Sequence, residues 1–120
     1  MSFEVKFINH ACFQIIKKDY SILVDPWFSG KVFNNSWELL RETNIDDLDL
    51  SNLKYIFISH EHPDHLSWST LKQIRQKCNQ RIEVLMPTRD NTNIHENMSN
   101  LGFEYYQFEP YQFYTNDADN

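Results

Sequence analysis

The sequence contains little glycine and few basic residues, and each shortage excludes a class of protein. Only two glycines, Gly30 and Gly102, occur in 120 residues, which is few for a self-contained, loop-rich β protein. The 11 basic residues are outnumbered by 17 acidic ones, so the net charge is −6. No lysine or arginine cluster is dense enough to form the basic stripe that nucleic-acid binders use. We therefore expect no nucleic-acid partner.

Cysteine and long apolar runs are also scarce. The two cysteines, Cys12 and Cys78, lie far apart; two buried free thiols are the expected state, and a disulfide is the alternative. No apolar run approaches the length of a membrane span, and the first ten residues lack the basic and then apolar pattern of a signal peptide. The sequence predicts a cytoplasmic protein without a membrane partner.

The hydrophobic patterns predict one α/β (α+β) domain over residues 1–114, followed by a disordered tail at 115–120. Near the N-terminus, Phe3, Val5 and Phe7 alternate with polar residues, which predicts a strand with one buried face. With two more short apolar runs, at 11–18 and 21–25, this strand is expected to form an antiparallel meander.

From residue 53 onward the pattern alternates between strand and helix. The predicted order is strand 53–59, helix 67–78, strand 81–87, helix 90–101 and strand 103–109. Such an order is typical of βαβ units around a mainly parallel sheet. Ser67 or Ser69 is the expected N-cap of the first helix. Residues 37–42 are expected to form one or two helical turns.

Three of the five histidines fall within residues 60–65, in the pattern His60-x-His62-x-Asp64-His65. The pattern follows an apolar strand directly and precedes a predicted helix, and such a loop is where α/β sheets place ligands. Imidazoles with a carboxylate suit zinc, iron or manganese. The alternative is a surface loop that is rich in histidine by chance. Four ligand-type residues at this spacing favour a metal site.

The cluster resembles the His-x-His-x-Asp-His signature of the metallo-β-lactamase superfamily, whose members are metal-dependent hydrolases with an αββα sandwich fold. Three upstream segments are similar to the branch around ascorbate-6-phosphate lactonase and the lactamase-like domain of CMP-N-acetylneuraminate hydroxylase. They are Asn9-His10-Ala11, Asp25-Pro26-Trp27 and Asn34-Asn35-Ser36-Trp37. The resemblance covers about residues 3–90, and it implies the N-terminal half of such a sandwich: a mixed sheet with helices on one face.

The resemblance also implies roles for the residues of the cluster. His60 and His62 would bind one metal, and Asp64 and His65 would serve a second. Asp64 would also act in catalysis by orienting a bridging water. Asp25 would support the histidine loop without binding metal. Zinc, as one or two ions, is the expected cofactor, and iron or manganese are alternatives.

In the same branch a histidine at the position of His10 faces the site; an ordinary turn histidine is the alternative. Trp27 and Trp37 would line a substrate cleft or pack against the loop. A metal ion lowers the pKa of its bound water from about 16 to near 7. The implied reaction is therefore hydrolysis, by metal-activated water, of a small anionic substrate such as a phosphorylated or nucleotide-linked sugar.

Members of the superfamily carry further ligands downstream: a third histidine, a bridging aspartate and a last histidine. After His65 this chain has only His95, for which an exposed position on a helix is expected, while Asp117 and Asp119 fall in the predicted tail. We therefore expect an N-terminal half whose uncovered sheet face meets a second copy, as a homodimer, or a complementing C-terminal half.

Two alternatives to a hydrolase remain. One is a non-catalytic remnant that acts through association with a partner chain. The other is an oxygenase accessory, by analogy with the sialic-acid hydroxylase. The electron-transfer centre of that enzyme is of Rieske type, which requires paired cysteine and histidine ligands. Cys12 and Cys78 cannot supply it.

Overall fold

The computed structural model describes residues 2–88 and 92–113, with the side chain of Thr92 left out. The strands are β1 (Glu4–Asn9), β2 (Cys12–Ile16), β3 (Ser21–Val24), β4 (Lys31–Val32), β5 (Trp37–Glu38), β6 (Leu53–Phe57), β7 (Glu83–Pro87) and β8 (Glu104–Phe108). The helices are α1 (Trp68–Lys77), α2 (Thr92–Leu101) and a short 3₁₀ helix at Ile45–Asp47. The tail predicted at 115–120 lies outside the described residues.

Six strands form the main sheet in the order β1-β2-β3-β6-β7-β8. The pairs β1–β2 and β2–β3 are antiparallel, whereas β3–β6, β6–β7 and β7–β8 are parallel. This mixed sheet confirms both the N-terminal meander and the βαβ order that follows it. The parallel arrangement brings the ends of β3 and β6 to one edge of the sheet.

The core lies on one face of the sheet, beneath the two helices. Neighbouring strands place Leu23, Ile56 and Val84 side by side, and all three are fully buried. Buried side chains of both helices, including Leu71 and Met98, complete the same cluster. Among the described residues, none covers the face opposite the helices in this way.

The prediction that β1 buries one apolar face is wrong. Phe3, Val5 and Phe7 are 62%, 59% and 65% exposed. Strand register joins β1 to a row of mainly apolar residues that crosses all six strands on the face opposite the helices: Phe7, Phe13, Val24, Phe57, Leu85 and Tyr106. The alternation in β1 is therefore real, but its apolar side faces away from the core. We call this surface the open face.

The helical turns predicted at 37–42 are also wrong. Trp37 pairs with Val32 in the small β4–β5 hairpin. Asn34 and Asn35 form its turn with φ values of 56° and 66°, and the Ser36 amide donates to the carbonyl of Phe33 at 3.1 Å. Asparagine tolerates left-handed backbone better than most residues. The Asn-Asn pair therefore favours a hairpin turn. The turn forms in place of the helix that the following residues would otherwise favour.

Cys12 and Cys78 are unpaired and buried, which confirms the prediction of two free thiols. Ser67 is the N-cap of α1, since its hydroxyl accepts from the Thr70 amide. Across the described ranges, no helix combines the length and apolar character that crossing a membrane requires.

Candidate metal centre

The histidine loop leaves β6 at one edge of the sheet and is held at both ends. At its start, Ile58 is fully buried and its amide donates to the carbonyl of Leu85 at 2.9 Å. In the middle, the amides of His65 and Leu66 both donate to the carbonyl of His62 at 2.8 Å, closing a tight turn. At its end, the Ser67 cap starts α1. The turn brings the polar side chains of the loop into one small volume.

Asp25 connects the end of β3 to this loop. Its Oδ1 accepts from the Ser59 amide at 2.7 Å, and its Oδ2 accepts from the Ser59 hydroxyl at 2.8 Å. The Nδ1–H of His65 donates to the same Oδ2 at 2.8 Å. Asp25 is 5% exposed. A carboxylate that accepts a ring N–H fixes both the tautomer and the orientation of that ring, so Nε2 of His65 is the nitrogen left to bind a ligand.

His60 is oriented through Ser59. Its Nδ1 lies 2.8 Å from the Ser59 hydroxyl, which already donates to Asp25, so the imidazole donates and keeps its Nε2 lone pair. Burial, together with the positive charge that His65 and His62 carry when protonated, lowers the pKa of His60. A neutral imidazole is the form that binds a metal.

His10, Asp64 and His65 offer ligand atoms that all lie within 4.8 Å of one another. Asp64 Oδ2 lies 3.0 Å from His10 Nε2 and 3.3 Å from His65 Nε2. Asp64 is 6% exposed, and its Oδ1 is buried without a hydrogen-bond partner among the described residues. His10 itself sits in the β1–β2 turn with a φ of 49°. The turn thus aims a ring from 54 residues upstream at Asp64.

His60 and His62 lie beside this group. The ring of His60 is 4.1 Å from that of His65 and 4.7 Å from that of His62, centroid to centroid. Neither belongs to the compact three-residue group. The structure therefore gathers all four histidines and both aspartates named from the sequence, with Asp64 between His10 and His65.

The remaining residues that the sequence analysis singled out differ in exposure and in what they contact. His95 is exposed on α2, as expected, with its ring 5.5 Å from that of Tyr105. Trp27 is 2% exposed and packs edge-on against His10 at 5.3 Å, whereas Trp37 is 51% exposed. Sequence reasoning missed Ser59. Its place directly before His60 was a signal, but its contact with Asp25 spans 34 residues and only the fold reveals it.

Several known proteins resemble this chain in sequence or in fold. The family described as "Beta-lactamase superfamily domain" matches residues 4–116. Cytidine monophosphate-N-acetylneuraminic acid hydroxylase of Cricetulus griseus is 40% identical over 75 residues, which are 62% of this chain and 13% of that protein. The chain thus spans about an eighth of that curated relative.

Two solved structures share the fold. CmlA, a diiron β-hydroxylase from Streptomyces venezuelae, superposes with a TM-score of 0.70 at 24% identity, over 95% of this chain and 22% of that one. A "possible metal-dependent hydrolase" from Veillonella parvula superposes with a TM-score of 0.60 at 22% identity, over 94% of this chain and 45% of that one. The mixed sheet with its two helices matches half of a metallo-β-lactamase-like fold, and the family match covers nearly all of the chain. The chain therefore belongs to the beta-lactamase superfamily.

Proposed function

We propose that this chain is the metal-binding part of a hydrolase that acts on a small anionic substrate. The observation that carries the proposal is the buried Asp64 carboxylate between His10 and His65. Because His65 donates its Nδ1–H to Asp25, its Nε2 lone pair faces a carboxylate oxygen 3.3 Å away. Two acceptors at this distance need a cation or a proton between them, so a metal ion fits the donor set.

The free oxygen of Asp64 supports the same assignment. A buried carboxylate oxygen without a donor costs free energy that a hydrogen bond or a cation would offset. Asp64 Oδ1 is such an atom in the described chain. Imidazole and carboxylate together are suitable ligands for zinc, iron and manganese.

Each side chain then has a role. His60 and His62 would hold one ion, and Asp64 with His65 would hold a second or share the first, while His10 lies 3.0 Å from Asp64. Asp25 and Ser59 position the rings. A bound divalent ion supplies Lewis acidity and makes water a nucleophile near neutral pH. Asp64 would accept a hydrogen bond from such a water and orient it.

The metal and the substrate class are inferred from relatives and from ligand chemistry. Zinc is the first choice for a histidine-rich site in a hydrolase, and iron is the second because CmlA, with a related fold, is named as a diiron enzyme. A nucleotide-linked sugar is the substrate named in the hydroxylase relative. A bound cation would reverse the local field of a chain whose net charge is −6 and so admit an anion.

The experiment is metal analysis of the purified chain and of the double variant His60→Ala/His62→Ala. The wild type should retain zinc, iron or manganese near stoichiometry after desalting, and the double variant should lose it. The matched control is His95→Ala, which removes an exposed histidine on α2 and should change nothing. Equal metal content in the double variant would refute the proposal. Hydrolysis of bis(p-nitrophenyl) phosphate and of a γ-lactone by the metal-loaded chain tests the activity.

The open face supports a second candidate function: a non-catalytic half-domain that acts by association. Across six strands, about 4.8 Å apart, the face is about 24 Å wide. Its exposed members include Phe7, Phe13 and Tyr106 at 65%, 39% and 43%, and apolar surfaces of this extent usually mark an interface. Two carboxylates of the face, Glu83 and Glu104, lie at one corner, where both pair with Arg81.

The occupant that fits best is a complementing C-terminal half with an apolar sheet of its own. The Veillonella parvula protein is compatible with this choice, because this chain covers only 45% of its length. The test combines light scattering with a dye that binds apolar surface. A complementing half is supported if the protein is a monomer that binds the dye. Dye binding should then be lost in Phe7→Thr/Phe13→Thr and kept in Lys6→Thr. A stable dimer that excludes the dye would assign the face to a second copy instead.

A further inference from the structure

A cleft of about 650 Å³ lies beside the candidate metal centre, between the β4–β5 hairpin and the β1–β2 turn. The proposed metal chemistry gives this cleft no role. Its walls include His10, Trp27 and Trp37, with Asn9 and Ser36 among its polar members. The volume lies within the range of small-molecule sites, about 300–1,000 Å³. Concave shape, aromatic walls and a few polar groups are the usual features of such sites.

The cleft adjoins the candidate metal centre through a single side chain. The His10 ring packs edge-on against Trp27 at 5.3 Å and against Trp37 at 6.5 Å. Its Nε2 faces the other way and lies 3.0 Å from Asp64. A ligand in the cleft would therefore be about one imidazole ring away from the place where a metal would be bound.

The hairpin that forms the outer wall is tied down at its base. The Gly30 amide donates to Glu42 Oε2 at 2.9 Å, and the Asn9 side chain donates to the carbonyl of Arg41 and to the hydroxyl of Thr43 at 2.6 and 2.9 Å. Above this base, the Phe33 ring packs against Trp37 at 5.1 Å. These contacts hold Trp37 beside the histidines while leaving it half exposed.

The charge of the lining indicates which part of a ligand the cleft can take. Among the described residues that line it, Glu38 is the one acidic residue and none is lysine or arginine. The one lysine recorded beside this lining, Lys31, already pairs with Glu38 at 4.0 Å, so a phosphate or carboxylate in the cleft would compete with that carboxylate, whereas a flat, uncharged ring gains contact with the indole of Trp37. The anionic group of the same ligand would have to lie at the metal.

We propose that this cleft binds the uncharged ring of the substrate against Trp37 and that the metal centre holds the anionic group. The inference rests on the proposed function. It adds that the uncharged ring of the substrate lies in the cleft while its anionic group lies at the metal centre. A nucleobase and a sugar ring both satisfy the chemistry. Cytidine 5′-monophosphate and glucose 6-phosphate, used as separate probes, distinguish them.

The test measures binding of three probes to the zinc-loaded full chain by calorimetry: cytidine 5′-monophosphate, glucose 6-phosphate and inorganic phosphate. Trp37→Ala should weaken one or both ring-bearing probes about tenfold, near the lower end of what loss of base–aromatic stacking costs. It should leave inorganic phosphate and zinc content unchanged. Trp37→Phe should restore most of the affinity, which guards against a collapsed hairpin. Phe113→Ala, a change at a fully exposed aromatic residue, is the matched control.

The outcomes separate the two proposals. Failure to bind zinc, iron or manganese would refute the metal-centre proposal, and the cleft proposal, which rests on it, would fall with it. Zinc binding, with every ring-bearing probe held equally by the wild type and by Trp37→Ala, would overturn the cleft assignment alone. If neither ring-bearing probe binds more tightly than inorganic phosphate, the cleft assignment is overturned as well.

Discussion

His65 donates from Nδ1 to Asp25 Oδ2 across 2.8 Å, although forty residues separate them in the chain. The contact exists because β3 and β6 are parallel neighbours whose ends meet at one edge of the sheet. It turns a flexible imidazole into an oriented one whose Nε2 points at Asp64. The candidate centre is therefore a product of sheet topology as much as of the histidine motif.

Asp25→Asn should keep the fold but lower metal affinity by about 10- to 100-fold, as is typical when a partner of a ligating histidine is lost. The amide has one oxygen to accept bonds, whereas the carboxylate accepts from the Ser59 amide, the Ser59 hydroxyl and His65. Asp49→Asn is the matched control, since Asp49 also accepts from an amide and a hydroxyl, both of Ser51. Competition with a chromophoric chelator measures the affinities, and unchanged binding in Asp25→Asn would contradict the supporting role.

Asp64→Asn should separate stability from binding. At pH 8 in a chelator, the melting temperature of the metal-free protein should not fall, because the change removes a buried charge with an unpartnered oxygen. Metal affinity should drop at least tenfold in the same variant. Thermal unfolding with and without zinc measures both effects. A large loss of stability without metal would mean that Asp64 is a structural residue.

Ser67→Ala should destabilise the protein by about 1 kcal/mol through loss of the α1 cap. The Ser67 hydroxyl accepts from the Thr70 amide at 3.3 Å and contacts Thr70 Oγ1 at 3.0 Å. Ser69→Ala, two residues on, removes a hydroxyl that does not cap the helix and should cost much less. Urea denaturation of the two variants decides the question, and equal losses would argue against the cap.

The thiols should be unreactive in the native protein and should make it less stable in alkali. Burial raises the pKa of Cys78, and it raises that of Cys12 to about 12, helped by the charge of Asp25. Burial thus disfavours the thiolate in the folded state. The resulting contribution to the free energy of unfolding is full below the ordinary thiol pKa of 9.0 and is lost as pH rises above it. Cys78→Ala should flatten the fall in stability above pH 9. An Ellman assay at pH 8 should find two thiols only after denaturation.

Local patterns predicted the elements well, because apolar periodicity and caps act within a few residues. The strand 53–59, found at Leu53–Phe57, and the helix 67–78, found at Trp68–Lys77, followed from such patterns. The pattern in β1 was read correctly as a strand, but which of its faces is buried depends on what packs against the sheet. That information comes from the helices that pack on the other face of the sheet, not from residues 3–9.

For the candidate site, too, the sequence predicted the contacts within one loop but not the contacts between distant segments. The motif placed His60, His62, Asp64 and His65 in one loop, since close neighbours in sequence must be close in space. It could not show that His10 reaches Asp64 across 54 residues or that Ser59 bridges Asp25 and His60. Those contacts depend on strand register and on the left-handed backbone of the β1–β2 turn.

The most direct measurement is an anomalous-scattering crystal structure of the chain purified in the presence of zinc. The account predicts a peak with ligand distances of about 2.0–2.2 Å to Nε2 of His65, an oxygen of Asp64 and at least one further imidazole. It also predicts that the contact between His65 and Asp25 persists. A zinc-saturated crystal in which the imidazoles point away from one another and no anomalous peak lies among them would contradict the account.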